Sequence, residues 1–159
     1  MIAPVDEGNL LEAAAVYAAS WRASHGKICT RAFLDKHTAA YQAQALREKM
    51  RVGWLLFALY EEQCAGVVGV HPASGEIGLL YVDPALWGKG YGSRLLHFAV
   101  QRMAGRTGIF LTVLNTNERA KRLYERRGFV FSGEKYMLNA QKGIAELKYI
   151  YTGSNTVAK

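Results

Sequence analysis

The sequence predicts a single α/β domain built on a mixed sheet, and three observations carry that prediction. Three short apolar runs, residues 54–60, 64–70 and 77–82, are joined by the polar connections Glu61-Glu62-Gln63 and His71-Pro72-Ala73-Ser74-Gly75. Connections this short make neighbouring strands run antiparallel, as a meander. The third run leads through a glycine-punctuated loop to Leu95, Leu96, Ala99, Val100 and Met103, which recur at helical spacing. That helix delivers the chain to a fourth apolar run, residues 109–114. The fourth strand should therefore lie parallel to the third, through a right-handed crossover. A chain of 159 residues, 50% of them hydrophobic, is long enough for one full core.

In chain order, residues 2–5 read as an edge strand, because Pro4 has no N–H to give a ladder. Beyond Asn9, a possible cap, the residues Leu10, Leu11, Ala14, Ala15, Tyr17, Ala18 and Trp21 form a helical stripe that ends near His25-Gly26. Residues 30–37 read as a short helix. Thr38 then caps a helix to about Arg51, with Tyr41, Ala45 and Leu46 expected inward. Gly53 precedes the meander, in which Gly66 and Gly69 permit close packing. The helix after the glycine loop is expected over residues 92–104 and the next over 117–127, with Ala120, Leu123 and Tyr124 on one face. Two strands, 129–136 and 144–151, complete the sheet around a polar turn at 139–143. The domain spans 1–152, and 153–159 are expected to be a disordered tail.

Composition narrows the function. No apolar run reaches the roughly 18 residues of a membrane span. The first residues lack the basic and apolar regions of a secretion signal. Cys29 and Cys64 do not suggest a disulfide framework, and the histidines at 25, 37, 71 and 97 lack metal-ligand spacing, so no metal is expected. The plain expectation is a cytoplasmic enzyme that neither enters a membrane nor binds nucleic acid. A homodimer is compatible with the sequence. The net charge of +7 is concentrated: residues 88–127 hold nine Lys and Arg against Glu118 and Glu125, which accounts for all of it. Such a cluster suits nucleic acid, a solvated helix face or one polyanionic ligand. No nucleic-acid motif accompanies it.

The chemistry centres on the third strand and its loop. Asp83-Pro84 ends the strand, and Gly88, Gly90 and Gly92 then alternate before a helix. Glycine lets backbone approach a ligand closely, and a helix N-terminus presents unpaired N–H groups to an anion. Lys89 and Arg94 add positive charge. A P-loop is absent. A Rossmann fingerprint fails because position 93 is Ser and no acidic residue follows at the required distance.

The stretch Tyr-Val-Asp-Pro-x-x-x-Gly-Lys-Gly-Tyr-Gly-Ser-x-Leu-Leu, followed by Asn117, Ala120, Tyr124, Gly128 and Phe129 at the spacing N-x-x-A-x-x-x-Y-x-x-x-G-F, resembles the GNAT family of acetyl-CoA-dependent N-acetyltransferases. The resemblance implies a GNAT-like mixed, mostly antiparallel sheet flanked by helices. It implies transfer of acetyl from acetyl-CoA to a primary amine of a small molecule or a peptide N-terminus. Coenzyme A, with its pyrophosphate and ribose phosphate, matches the basic cluster. By the same resemblance Tyr124 is the general acid and Glu76 the general base, with Asp83 a rival. The backbone of Leu80, Tyr81 and Val82 receives pantetheine and the acetyl carbonyl. Trp87, Gly88, Lys89, Gly90, Tyr91, Gly92 and Ser93 hold the pyrophosphate. Asn117, Ala120 and Tyr124 meet the pantetheine arm, although Asn115 or Asn117 also suits a helix cap. Trp21 and Phe33 are candidates for the acceptor wall.

Two features stay open. Simple alternation puts Glu76, Gly78, Leu80 and Val82 on one face, whereas a bulge of the kind the family carries would change the parity. Trp87 occupies the place where the family loop often has Gln or Arg, which puts pyrophosphate affinity in doubt and leaves Lys89 to compensate. The alternative function is a CoA-binding regulatory or interaction module without turnover.

Overall fold

The computed structural model describes residues 1–153. The expected tail, apart from Gly153, lies outside the described residues. Seven strands form one sheet in the order β1-β2-β3-β4-β5-β7-β6. They are β1 (Ile2–Pro4), β2 (Leu55–Tyr60), β3 (Cys64–His71), β4 (Glu76–Val82), β5 (Phe110–Leu114), β6 (Phe129–Asn139) and β7 (Ile144–Tyr151). Every pairing is antiparallel except β4 with β5, which is parallel as the crossover predicts. The helices are α1 (Leu10–His25), α2 (Arg31–Asp35), α3 (Ala39–Arg51), α4 (Tyr91–Arg102) and α5 (Glu118–Arg126).

Strand alternation sorts the core into two layers. On one face Phe57, Leu59, Val68 and Val70 pack with Leu95, Leu96 and Ala99 of α4 and with Tyr124 of α5. On the other, Leu56, Ala58 and Val67 pack with Leu10, Ala13 and Ala14 of α1 and with Ala43 and Leu46 of α3. The close approach expected at Gly69 is real. A Cβ there would lie 2.9 Å from Leu56 and 3.0 Å from the Trp54 ring, and one at Gly78 would lie 2.8 Å from the same ring.

Three expectations change. Tyr41 does not face inward but is 52% exposed, its ring edge-on to His37, while Gln42, Ala43 and Leu46 are buried. The α1–α3 contact is made by Ala13, Ala14 and Ala43, and alanines bring two helices too close for a tyrosine between them. Strand β6 runs three residues beyond the expected end, to Asn139, because its pairing with β7 continues to Asn139↔Ile144. The parity along β4 also changes at a bulge. Gly78 pairs with Gly69 and Tyr81 with Val67, so Leu79 and Leu80 together oppose Val68 alone. Consequently Glu76, Gly78, Leu79 and Tyr81 share the α1 side, and Leu80 and Val82 turn to the α4 side with Ile77. Leu80 and Val82 therefore do not share a face with Glu76.

Candidate active site

The bulge is where the site begins. Leu79 has φ +56°, the one positive value at a non-glycine among the described residues. Holding a branched residue there costs on the order of 1–3 kcal/mol, and such strain gathers at sites where backbone must be re-aimed. Strands β4 and β5 pair at Glu76↔Phe110 and then part. The gap opens into a cleft of about 810 Å³, lined by β4 on one wall and by β5 and α5 on the other. The edge of β4 beyond Ile77 thus faces the cleft with peptide groups that no neighbouring strand takes.

At one end of the cleft stands the glycine loop. Asp83 accepts from the Ala85 N–H at 2.9 Å and caps a 3-10 turn, Pro84–Leu86, so this rival for the base has a structural task. Gly88 and Gly90 hold φ +79° and +85°, and a Cβ at either would meet nothing within 4 Å. The loop is therefore an open cradle of backbone. Gly90 is the N-cap of α4 and offers no side chain, which leaves the first N–H groups of α4 presented to the cradle.

The charge around the cradle is not where the loop sequence suggests. Lys89 does not line the cleft. Arg94 is engaged by Glu61 at 2.6 Å. Instead, Arg119, Arg122 and Arg126 line it from α5. The Trp87 indole donates to the Val82 carbonyl at 2.8 Å, and the Arg119 guanidinium lies 4.3 Å over its ring. Partial burial pulls the Arg119 pKa down, and among the described residues no carboxylate pairs with it. An exposed guanidinium held over an aromatic ring beside the cradle is free to receive an anion. Arg127 reaches the hydroxyl of Ser93 at 3.3 Å and ties α5 to α4.

Asn117, rather than Asn115, caps α5, accepting from Ala120 N–H at 3.2 Å. Asn115 bridges to β7 instead, taking the Ala145 N–H and donating to the Gly143 carbonyl. Glu118, in the first turn of α5, pairs with Lys121. Asn117 and Ala120 both line the cleft.

Tyr124 is 7% exposed, set among Phe129 and Tyr149, and lines the cleft. Burial pushes its pKa up to about 12. The phenol is thus held protonated at neutral pH, and its hydroxyl makes no hydrogen bond to the described residues. Glu76, half-buried, faces the other end beside Trp54 and Lys49. Burial raises its carboxyl above the ordinary value, Lys49 and His71 oppose that, and Glu146 of β7 adds to it. Tyr81 lies between, its ring 4.6 Å from that of Tyr17, and burial raises its pKa far above the usual phenol value.

The two acceptor-wall candidates lie elsewhere. Trp21 is stacked between His25 at 4.2 Å and His37 at 3.8 Å, and Phe33 is 47% exposed beside them. Neither lines the cleft, whereas His25, Ser20 and Ser24 of α1 do. Sequence reasoning missed Arg119 and Glu146 as cleft residues; only the strand and helix periods around them hint at their direction.

Among the described residues no group of three or more His, Cys, Asp or Glu is placed to hold a metal, and no helix is long and apolar enough to cross a membrane.

Comparison with known proteins agrees with this geometry. The model of the acetyltransferase (GNAT) family matches residues 11–129. The chain belongs to that family. Over 84 residues it is 34% identical to the mycothiol acetyltransferase of Mycobacteroides abscessus, an alignment covering 46% of this chain and 28% of the relative. The chain thus matches little more than a quarter of that protein's length. Two solved structures share the fold. The PaiA N-acetyltransferase of Thermoplasma acidophilum, solved with coenzyme A, has a TM-score of 0.72 at 17% identity over 95% of this chain and 98% of its own. The putative streptothricin acetyltransferase of Bacillus anthracis, solved with acetyl coenzyme A, has a TM-score of 0.53 at 22% identity over 62% and 61%.

Proposed function

We propose that the protein is an N-acetyltransferase that moves an acetyl group from acetyl-CoA to a primary amine by direct attack. The observation that carries this reading is the Tyr124 hydroxyl, protonated and without a hydrogen-bond partner among the described residues, on the wall of a cleft that begins at a glycine cradle. The residues present fit the cofactor. The cradle at Gly88 and Gly90 and the α4 N-terminus suit a pyrophosphate, and Arg119, Arg122 and Arg126 suit its further charge. Asn117 and the free edge of β4 suit an amide-bearing arm. Coenzyme A complexes of two proteins with this fold support the same assignment.

Acetyl-CoA, when bound, supplies an acetyl group activated as a thioester. The acceptor amine must be neutral to attack, and alkyl amines hold their proton until about pH 10. Glu76, directly or through one water, takes that proton. Peptide N–H groups on the free edge of β4 favour the charge that grows on the carbonyl oxygen. As the carbon–nitrogen bond forms and the carbon–sulfur bond breaks, the nitrogen gives up a second proton to solvent and Tyr124 gives its proton to the departing sulfur. Solvent then returns it, and the products are the amide and the free thiol.

A CoA-binding module without turnover is the second reading. It is favoured by Trp87, whose one N–H is committed to Val82 and unavailable to phosphate. Release of free thiol from acetyl-CoA, followed over polyamines, amino acids, aminoglycosides and peptide N-termini, separates the two. Amine-dependent release supports the enzyme. Tight binding with no release from any amine supports the module.

A further inference from the structure

Glu146 stands in the cleft with no task in the mechanism above. On β7 its neighbours Leu147 and Tyr149 pack toward α4 and α5. Alternation therefore turns Glu146 to the opposite face, where the bulged β4 also presents Glu76. On that face α1 and α3 cover β2 to β4. Beyond them Thr112 of β5 and Glu146 line the open part of the cleft. Two half-buried carboxylates thus line one groove, and the Glu146 charge bears on Glu76.

The charges around them are unequal. Lys49 and His71 act on Glu76. Lys148, adjacent on β7, is occupied by Glu134 at 3.2 Å and rests over the Phe110 ring. Lys27 lines the cleft from the connection after α1 and does not figure among the groups acting on Glu76. The Glu146 carboxylate makes no hydrogen bond or ion pair with the described residues. Tyr124, whose hydroxyl has no hydrogen-bond partner among the described residues, lines the same cleft, and Tyr81 lies within electrostatic reach of both Tyr124 and Glu146. Tyr124, Glu76 and Glu146 thus all face one cleft.

We propose that Glu146 anchors a second positive charge of the acceptor, so that the substrate class is a diamine or longer oligoamine. The inference rests on the acetyl-transfer reading of the same cleft. One amine loses its proton to Glu76 and is acetylated, and another stays an ammonium paired with Glu146. A monoamine with an apolar tail leaves Glu146 unpaired.

The test compares butylamine, 1,4-diaminobutane and spermidine as acceptors by thiol release, in the wild type, Glu146→Gln and Glu146→Asp. The expected kcat/KM favours the diamines by roughly tenfold or more, the scale of one hydrogen bond to a charged group. Glu146→Gln should collapse that ratio through KM rather than kcat, and Glu146→Asp should restore part of it. Equal kcat/KM for monoamine and diamine, or a ratio untouched by Glu146→Gln, would overturn the proposal and leave acetyl transfer standing. If no amine releases thiol, the acetyl-transfer reading falls. Calorimetric titration with spermidine then decides: binding that weakens in Glu146→Gln supports the anchor, and absent binding removes it.

Discussion

The Arg119 guanidinium lies 4.3 Å over the Trp87 ring, and the ring is fixed by its own N–H on the Val82 carbonyl. The tryptophan thus serves as a platform, and the positive charge that the loop lacks comes from α5. Arg119→Ala should weaken acetyl-CoA binding by about 10- to 100-fold, the range of one charge-assisted contact to phosphate. Trp87→Phe keeps a ring beneath the guanidinium and loses one neutral hydrogen bond, so its effect should stay below about tenfold. Calorimetric titration of both variants with acetyl-CoA checks the order.

The glycine cradle makes a separate prediction. Gly90→Val places a branched residue at φ +85°, and so does Gly105→Val at φ +82°, in a turn that does not line the cleft. Each should lower the melting temperature by a few degrees, from roughly 1–2 kcal/mol of left-handed strain. Acetyl-CoA should still raise the melting temperature of Gly105→Val, since a ligand of the native state stabilises by mass action. It should not raise that of Gly90→Val. A ligand shift that survives in Gly90→Val would put the cofactor elsewhere.

Glu76 links rate to pH. Its carboxyl is raised by burial and held down by Lys49. The acid limb of kcat/KM should therefore have a midpoint above the ordinary value of 4.5. Lys49→Met, which removes the cation, should move that limb to higher pH. The stability effect has the opposite sense to a salt-bridged carboxylate. A raised native pKa contributes stability that is present below the ordinary value and is lost as pH rises through the raised one. Glu76→Gln should accordingly melt higher than the wild type at neutral pH, gain nothing in acid, and lose kcat.

Much of this architecture is legible in the residues. The meander, the glycine loop and the Asn117-to-Phe129 spacing carry strong local signals, because turns and helix starts depend on few residues. What escapes the sequence depends on distant neighbours. Tyr41 looks inward by period, but Ala13, Ala14 and Ala43 set a helix separation that excludes it. Leu79 gives no sign of its positive φ, because that strain is imposed by the pairings on either side of the bulge. Arg119 is legible only as one of nine cations in the basic cluster and Glu146 only as a strand carboxylate, until the parting of β4 and β5 brings both into one cleft. Trp21 and Phe33 cluster with each other and with His37 instead of lining the cleft, a placement set by the packing of α1 against α2 that periodicity does not reveal.

The most direct test of the account is the rate of thiol release from acetyl-CoA by Tyr124→Phe, with a good amine acceptor at saturation. The substitution keeps the ring that packs on Phe129 and Tyr149 and removes only the hydroxyl, which makes no hydrogen bond to the described residues. Melting temperature and acetyl-CoA affinity should stay near those of the wild type. If Tyr124 protonates the departing sulfur, kcat should fall by about 10²-fold, the low end for one positioned donor, because a thiolate is already a fair leaving group. A Phe variant that turns over at the wild-type rate would contradict the account and leave Tyr124 as a core residue.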